Sequence, residues 1–227
     1  MTYRAWSEKW ESVRPGWRAL SKWNDRAEAK MRFRGVQPFS LGGYAFDHAA
    51  VGEVPDARGG RQPVEVLLWQ LTQKGRGADA GGEVKSAGVT LTFPYPLPLL
   101  GVYPDNPLWP PRVRDFSSSA GFQLFEGDAG AAAGPRFAGT TVVAADAPTV
   151  AALVTPEVLG LPQLSGRHWR LDGRTAVAWS KGHQSPETLA EAVTDLCALV
   201  AGVPQELLDT AAESARAGGG GGAGEAP

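Results

Sequence analysis

The chain has 227 residues, of which 43% are hydrophobic and 20% are charged, and its formal net charge is −2 at pH 7. A chain of this length forms one domain or two small ones, and its composition is that of a globular protein. The near-neutral charge gives no reason to expect a nucleic-acid partner. The single cysteine excludes an internal disulfide and a cysteine-based zinc site.

Residues 1–34 form a basic segment rich in tryptophan, which we call the leader. It has a formal charge of +5, which leaves −7 for the remaining 193 residues. Its apolar residues recur at helical spacing, and they are Trp6, Trp10, Val13, Trp17 and Leu20. The pattern predicts an amphipathic helix that is bent or interrupted at Pro15-Gly16.

The tryptophan face of the leader has two interpretations. A helix with cationic flanks could lie on an anionic membrane surface. Alternatively, the tryptophans pack on the body of the domain, which the opposite charges of leader and body favour, although exposed ion pairs contribute only about 0–1 kcal/mol each. The candidate interaction residues are Trp6, Trp10, Trp17 and Trp23.

The next part of the chain reads as strands. Residues 37–54 predict one or two short strands with a turn or bulge at Gly42-Gly43. Residues 64–72 are apolar on both faces, which is typical of a central strand, and residues 84–93 form a hairpin with them.

A proline-rich segment at 94–98 cannot continue a hydrogen-bonded ladder, since its three prolines lack donors. It predicts a stiff crossover between two parts of the sheet, and a proline-rich ligand for another domain is the alternative. Short strands are expected at 99–103, 121–125 and 140–144.

Capping signals define the helices of the C-terminal half. Asp146 caps a helix over 147–154, and Thr155-Pro156 opens a second short helix. Ser185-Pro186 opens the last long helix. The apolar stripe of that helix predicts its buried face, which is Leu189, Val193, Leu196, Val200 and Val203.

Between these helices, Asp172-Gly173 predicts a two-residue hairpin turn. That turn pairs Trp169 with Ala176 and His168 with Val177. One face of the hairpin then carries Trp169 and Leu171. The other face is expected to be covered only in part.

Together these elements predict an α+β fold. A mostly antiparallel sheet of about six to eight strands is packed by the C-terminal helix and the short mid-chain helix, with the N-terminal amphipathic helix against one side. The predicted organisation is the leader at 1–34, a single domain at 35–216 and a disordered glycine-rich tail at 217–227.

Seven motifs are spread along the chain: Gln37-Pro38-Phe39, residues 64–72, residues 93–99, Thr155-Pro156-Glu157, residues 169–174, Ser185-Pro186-Glu187 and Val203-Pro204. In this order they resemble a widespread group of actinobacterial proteins of unassigned function, similar to bacterial families of unknown function found near LemA-type genes. Phe137-Ala138 departs from the Phe-Asn step usual in that group, and the tryptophan-rich leader is unusual. The resemblance implies a fold and no catalytic residues.

No group of reactive side chains stands out. The three histidines lack the helical spacing of a zinc motif. His48 follows Asp47, but neighbours on a strand point to opposite faces, so this pair is poorly placed for acid–base work. His168 is expected to be half-buried and hydrogen-bonded, and His183 to be solvated or to help the cap at Ser185.

The remaining candidates have ordinary explanations. Cys197 lies near an apolar stripe and predicts a small hydrophobic residue. Glu65 points to the solvated side or, alternatively, is a buried carboxylate. Ser180-Lys181 diverge as strand neighbours, and no nucleophile-elbow motif occurs. No cofactor or metal is predicted.

Three functional hypotheses follow from the sequence. The first is a non-enzymatic cytoplasmic protein that binds another protein or acts as a scaffold. The second is a hydrolase-type enzyme that uses carboxylates or His48. The third is a peripheral membrane protein that docks through residues 1–34. The sequence shows neither a signal peptide nor about 20 consecutive apolar residues, which favours the cytoplasm.

Overall fold

The computed structural model describes residues 3–20, 44–74, 83–104, 123–125 and 140–219. Nine strands in these ranges form one antiparallel sheet in the order β1-β2-β3-β4-β9-β8-β5-β7-β6. The strands are β1 (Arg18–Ala19), β2 (Tyr44–Val54), β3 (Val64–Lys74), β4 (Glu83–Thr92), β5 (Leu100–Tyr103), β6 (Gln123–Phe125), β7 (Thr141–Ala144), β8 (His168–Asp172) and β9 (Thr175–Lys181). The described helices are α1 (Tyr3–Val13), α2 (Ala147–Leu153), α3 (Pro156–Leu159), α4 (Pro186–Ala201) and α5 (Gln205–Gly219). The predicted α+β class is confirmed.

The central strand β3 is buried on both faces, as its sequence predicts. Val66 and Leu68 belong to one hydrophobic cluster, while Leu67 and Trp69 belong to a second. Because successive side chains alternate across a strand, the two clusters lie on opposite faces of the sheet. We call the face that packs against α1 and α4 the helix side, and the opposite face the far side.

Helix α4 covers much of the helix side. The Ser185 hydroxyl accepts a hydrogen bond from the backbone N–H of Thr188, and Pro186 occupies the first turn. The predicted stripe is confirmed, since Leu189 and Leu196 are fully buried and the rest of the stripe is nearly so. Burying each of these side chains contributes roughly 1.5–3 kcal/mol. Asp146 and Thr155 cap α2 and α3 as predicted.

The leader is part of the sheet. Helix α1 ends at Val13, and Gly16 takes a φ of 88° in the turn that follows. The chain then pairs as β1 with β2, through Arg18 opposite Val51. The predicted interruption at Pro15-Gly16 is confirmed, but the helix does not resume after it: Trp17 and Leu20 lie outside the helix, because the turn redirects the chain into the sheet.

The β8–β9 hairpin has a different register from the predicted one. The central turn residues are Gly173 and Arg174, so that Trp169 faces Ala178 and His168 faces Trp179. Gly173 alone takes a positive φ, at 58°, and glycine tolerates this conformation at no steric cost. Each partner moves by two residues, which preserves the predicted faces. The far-side residues of the hairpin are buried, so the prediction that this face is only partly covered is also wrong.

The segment at 94–98 is a crossover, as predicted. It leaves β4 and reaches β5, passing the two strands β9 and β8 that lie between them in the sheet. The backbone N–H of Leu97 donates to the carbonyl of Gly173 at 2.6 Å, which fixes the crossover against the hairpin turn.

Predictions at the ends of the described ranges have mixed outcomes. Helix α5 extends to Gly219, so residues 217–219 are helical and the predicted tail begins too early. The Gly42-Gly43 turn, residues 121–122, Phe137-Ala138 and residues 220–227 lie outside the described residues.

Arg58 closes the C-terminal end of α4. Its Nη1 donates to the carbonyl oxygens of Ala201 at 3.1 Å and Val203 at 2.6 Å, and its Nη2 donates to Gln205 Oε1 at 2.9 Å. Asp56 Oδ1 accepts from the Arg58 backbone N–H at 3.0 Å, which holds the loop in place. The arginine thus supplies donors and a positive charge where the last helical carbonyls lack partners.

We expect Arg58→Ala to lower the free energy of unfolding by about 1.5–3 kcal/mol, because the carbonyls at the end of α4 lose a charged donor. Urea unfolding measures the change. Arg61→Ala is the matched control, since Arg61 is an exposed residue of the same loop and its loss should change stability by no more than about 0.5 kcal/mol. Equal unfolding midpoints for the two variants would contradict the role assigned to Arg58.

Candidate functional site

A β-bulge in β2 brings Asp47 and His48 to the same side of the sheet. His48 pairs with Gln70 and Phe46 pairs with Leu71, so Asp47 is an extra residue between two regular pairs. His48 and Asp47 therefore lie with Gln70 and Thr72 on the helix side. The prediction that the two side chains diverge is wrong, because a bulge interrupts the alternation on which it relied.

The bulge creates a polar cluster that we call the corner, made of Asp47, His48, Thr72 and His183. Thr72 Oγ1 donates to Asp47 Oδ2 at 2.6 Å, and His183 Nε2 lies 3.1 Å from the same oxygen. The rings of His48 and His183 are 6.4 Å apart. The side chains of His183 and Asp47 remain 37% and 31% exposed, so solvent and ligands can reach the pair.

The loop that carries His183 is anchored on both sides. The backbone N–H of Gly182 donates to the carbonyl of Lys85 at 2.7 Å. The Gln70 side-chain amide donates to the carbonyl of Gln184. Ser185 then begins α4 as its N-cap. His183 is thus presented by a short loop with fixed ends, which favours a defined geometry at the corner.

The hydrogen bonds assign a chemical role to each nitrogen of His183. A carboxylate oxygen only accepts, so the contact requires a proton on Nε2 that is donated in a hydrogen bond to Asp47; in the neutral imidazole this leaves Nδ1 as an acceptor. Such a nitrogen can accept a hydrogen bond from a ligand or a proton from water. Within the described ranges, no group of three or more His, Cys, Asp or Glu side chains could hold a metal ion.

Cys197 and His168 are not candidates for reactive groups. Burial, with a contribution from Asp56, raises the pKa of the Cys197 thiol to about 11, so the thiol stays protonated at neutral pH. This agrees with its predicted hydrophobic role. His168 is 5% exposed and stacks on Trp179 with ring centroids 5.4 Å apart. It is therefore more buried than predicted.

The four tryptophans predicted as candidate interaction residues differ in their positions. Trp6 and Trp10 are each 1% exposed within the helix-side cluster, so they belong to the core and form no exposed surface. Of the two interpretations of the leader, packing on the body of the domain is therefore the correct one for Trp6 and Trp10. Trp17 packs on Gly52, where an added Cβ would overlap the indole ring. Trp23 lies outside the described residues.

Trp17 also lines an open cavity of about 500 Å³, which we call the groove. Other lining residues that matter chemically are Glu53, Glu65 and Thr92. Glu53 is directly opposite Glu65 on the neighbouring strand, and Glu65 is directly opposite Thr92. Glu65 is half-buried and lines this cavity. Its exposure is thus intermediate between the two predicted alternatives, a solvated residue and a buried carboxylate.

The sequence alone pointed to some of the residues of the corner and of the groove. The tryptophan at position 17 and the Asp47-His48 pair were visible in the sequence. The contact between Asp47 and His183 was not, since 136 residues separate them. The groove likewise depends on the pairing of three strands with the turn at 15–17.

Comparison with known proteins identifies no relative: no protein-family model, no curated protein and no solved structure matches the chain. The resemblance to actinobacterial proteins found near LemA-type genes stays a prediction. None of the helices in the described ranges is both long enough and apolar enough to cross a bilayer.

His168 should make stability depend on pH. Burial lowers its pKa below the ordinary 6.5, and its Nδ1 has no hydrogen-bond partner in the described part of the chain. As the pH falls below about 6.5, the unfolded state binds a proton that the folded state does not, so the free energy of unfolding decreases.

We expect His168→Phe, which keeps an aromatic ring without a titrating nitrogen, to lose less stability between about pH 7.5 and about pH 5 than the parent protein. Urea unfolding at both pH values measures the difference. An identical pH dependence in parent and variant would show that His168 does not stay neutral in the fold.

Proposed function

We propose that the protein is a non-enzymatic protein-binding module that uses the groove. The observation that carries this proposal is an open cavity of about 500 Å³ that is lined by Trp17 and by two glutamates, Glu53 and Glu65, which are paired on neighbouring strands. A concave surface with an aromatic residue and a few polar groups is the usual form of a binding site. Tryptophan is also enriched among residues that dominate binding energy at protein interfaces.

The charge of the groove supports a basic partner segment. Glu53 and Glu65 are directly opposite each other on neighbouring strands, and like charges in that position repel by roughly 0.2–1 kcal/mol. Two carboxylates that line one cavity would attract a segment rich in Lys or Arg. A cytoplasmic location is part of this proposal, and the single cysteine supports it.

Glu53→Lys separates binding from stability. Glu53 is exposed, and the new lysine would face Glu65, so we expect stability to stay the same or rise by roughly 0.2–1 kcal/mol. Binding of a basic partner should nevertheless weaken at least about tenfold, because a rim charge is reversed. The measurement is quantitative affinity purification from host extract, followed by titration of the partner recovered.

Glu213→Lys provides the matched control, since it makes the same charge change at an exposed position of α5. A partner retained by the parent and by Glu213→Lys but lost by Glu53→Lys supports the groove. If every recovered protein binds Glu53→Lys as well as it binds the parent, the groove is not the binding surface.

The corner supports a second candidate function, which is hydrolysis by general-base catalysis. The specific observation is that His183 Nε2 lies 3.1 Å from Asp47 Oδ2, an arrangement that leaves Nδ1 of a neutral imidazole as the acceptor. In such a reaction, His183 takes a proton from water, the resulting hydroxide attacks an acyl carbon, and the proton passes to the leaving alcohol. A positioned base of this kind accelerates a reaction by about 10²–10⁴-fold.

His183→Gln is therefore expected to abolish any hydrolysis of a panel of p-nitrophenyl esters, with a fall of about 10²–10⁴-fold. Asp47→Asn should lower the rate as well, because the amide can no longer orient the imidazole in the same way. Cys197→Ala is the control, and its rate should match that of the parent. Hydrolysis that survives His183→Gln, or a parent rate equal to that of buffer, would exclude this activity at the corner for these esters.

A membrane role for residues 1–34 has less support. The indole rings of Trp6 and Trp10 are buried in the helix-side cluster, whereas an interfacial helix inserts its aromatic face into the lipid.

A further inference from the structure

A row of aromatic rings connects the leader to the corner. The Trp6 ring stacks on the ring of His48, with centroids 5.1 Å apart and planes 12° from parallel. His48 lies 6.4 Å from His183, and His183 Nε2 lies 3.1 Å from Asp47. Trp6 is 1% exposed and His48 is 8% exposed, so the stacked pair is buried beside the more exposed His183–Asp47 pair.

Helix α1 is stable only when it is packed against the sheet and α4. It has 11 residues, and isolated helices shorter than about 12–15 residues are marginal in water. Lys9 forms an ion pair with Glu187 at 3.0 Å, and Arg14 reaches Thr194 at 3.5 Å, but both contacts are solvent-exposed. Exposed pairs contribute little, so the buried rings of Trp6 and Trp10 supply most of the docking energy.

The position of Trp6 matters more than its size. Trp10 is equally buried, but its ring contacts are with Trp6 and Trp17. Trp6 is the ring of the leader that stacks on His48 among the described ring contacts. A change at Trp6 therefore reaches the corner directly, while a change at Trp10 removes a similar volume of core without touching His48.

We propose that the leader is a built-in positioning element of the corner, with Trp6 and His48 as positioning residues for His183. When α1 is docked, the stacked rings restrict His183 to the orientation that donates to Asp47. When α1 is released, His48 loses its stacking partner, and His183 is free to leave Asp47 and to exchange its proton between the two ring nitrogens. Docking of the leader thereby controls which nitrogen the corner offers to a ligand. This inference goes beyond binding at the groove.

Imidazole ¹H–¹⁵N correlation spectra of the full chain test the proposal, because they report the tautomer of each histidine directly. Loss of one signal in His183→Gln assigns the His183 ring. In the parent protein we expect one dominant tautomer with the proton on Nε2. In Trp6→Leu we expect the His183 signals to move toward a mixture of tautomers, and Trp6→Phe, which keeps a stacking ring, to restore the parent pattern.

Trp10→Leu is the matched control, and its His183 signals should remain those of the parent. His48→Leu is a second route to the same effect, so the test remains available if Trp6→Leu does not fold. Unchanged His183 signals in folded Trp6→Leu or His48→Leu would overturn the proposal. A change of equal size in Trp10→Leu would also overturn it, since that result would indicate general loosening. The spectra need no partner and no substrate. Their outcome is therefore independent of whether the groove binds a partner and of whether the protein hydrolyses esters.

Discussion

The two-sided burial of the central strands is the constraint on which the rest of the structure depends. Strand β3 carries large apolar side chains on both faces, with Leu68 on the helix side and Trp69 on the far side. Each face must be covered, because exposing these side chains would cost roughly 1.5–3 kcal/mol apiece. Helix α4 covers one part of the helix side, and the leader covers the part next to β2.

This requirement explains the arrangement of the leader along β2. Trp6 lies on His48 near one end of that strand, and Trp17 lies on Gly52 near the other. The strand offers small residues, Ala50 and Gly52, on the side that receives the indole rings. Trp6, Trp10 and Trp17, which look like a contact surface in the sequence, are therefore used to close the core, and Trp17 also borders the groove.

Two irregular features lie along β2, one on either side of Ala50. A bulge breaks the regular ladder at Asp47, and two glutamates face each other at Glu53 and Glu65. A bulge disrupts the ladder locally and bends the strand, and like charges that face each other repel. The leader contacts both ends, which makes it the element that joins the corner to the groove.

Local rules were enough for most elements, and tertiary pairing decided the sites. Alternation and capping predicted β3, the α4 stripe and the caps at Asp146, Thr155 and Ser185, because these signals depend on neighbours within a few residues. The predicted hairpin turn is misplaced by one residue, which moves each cross-strand partner by two, since turn preference alone does not distinguish Asp172-Gly173 from Gly173-Arg174 when both keep the same faces. The bulge at Asp47 and its contact with His183 depend on how distant strands pair, and no local pattern encodes that pairing. The sequence by itself therefore determined the main apolar stripes and where most elements lie, whereas the tertiary structure decided how completely the hairpin is buried and which polar groups meet.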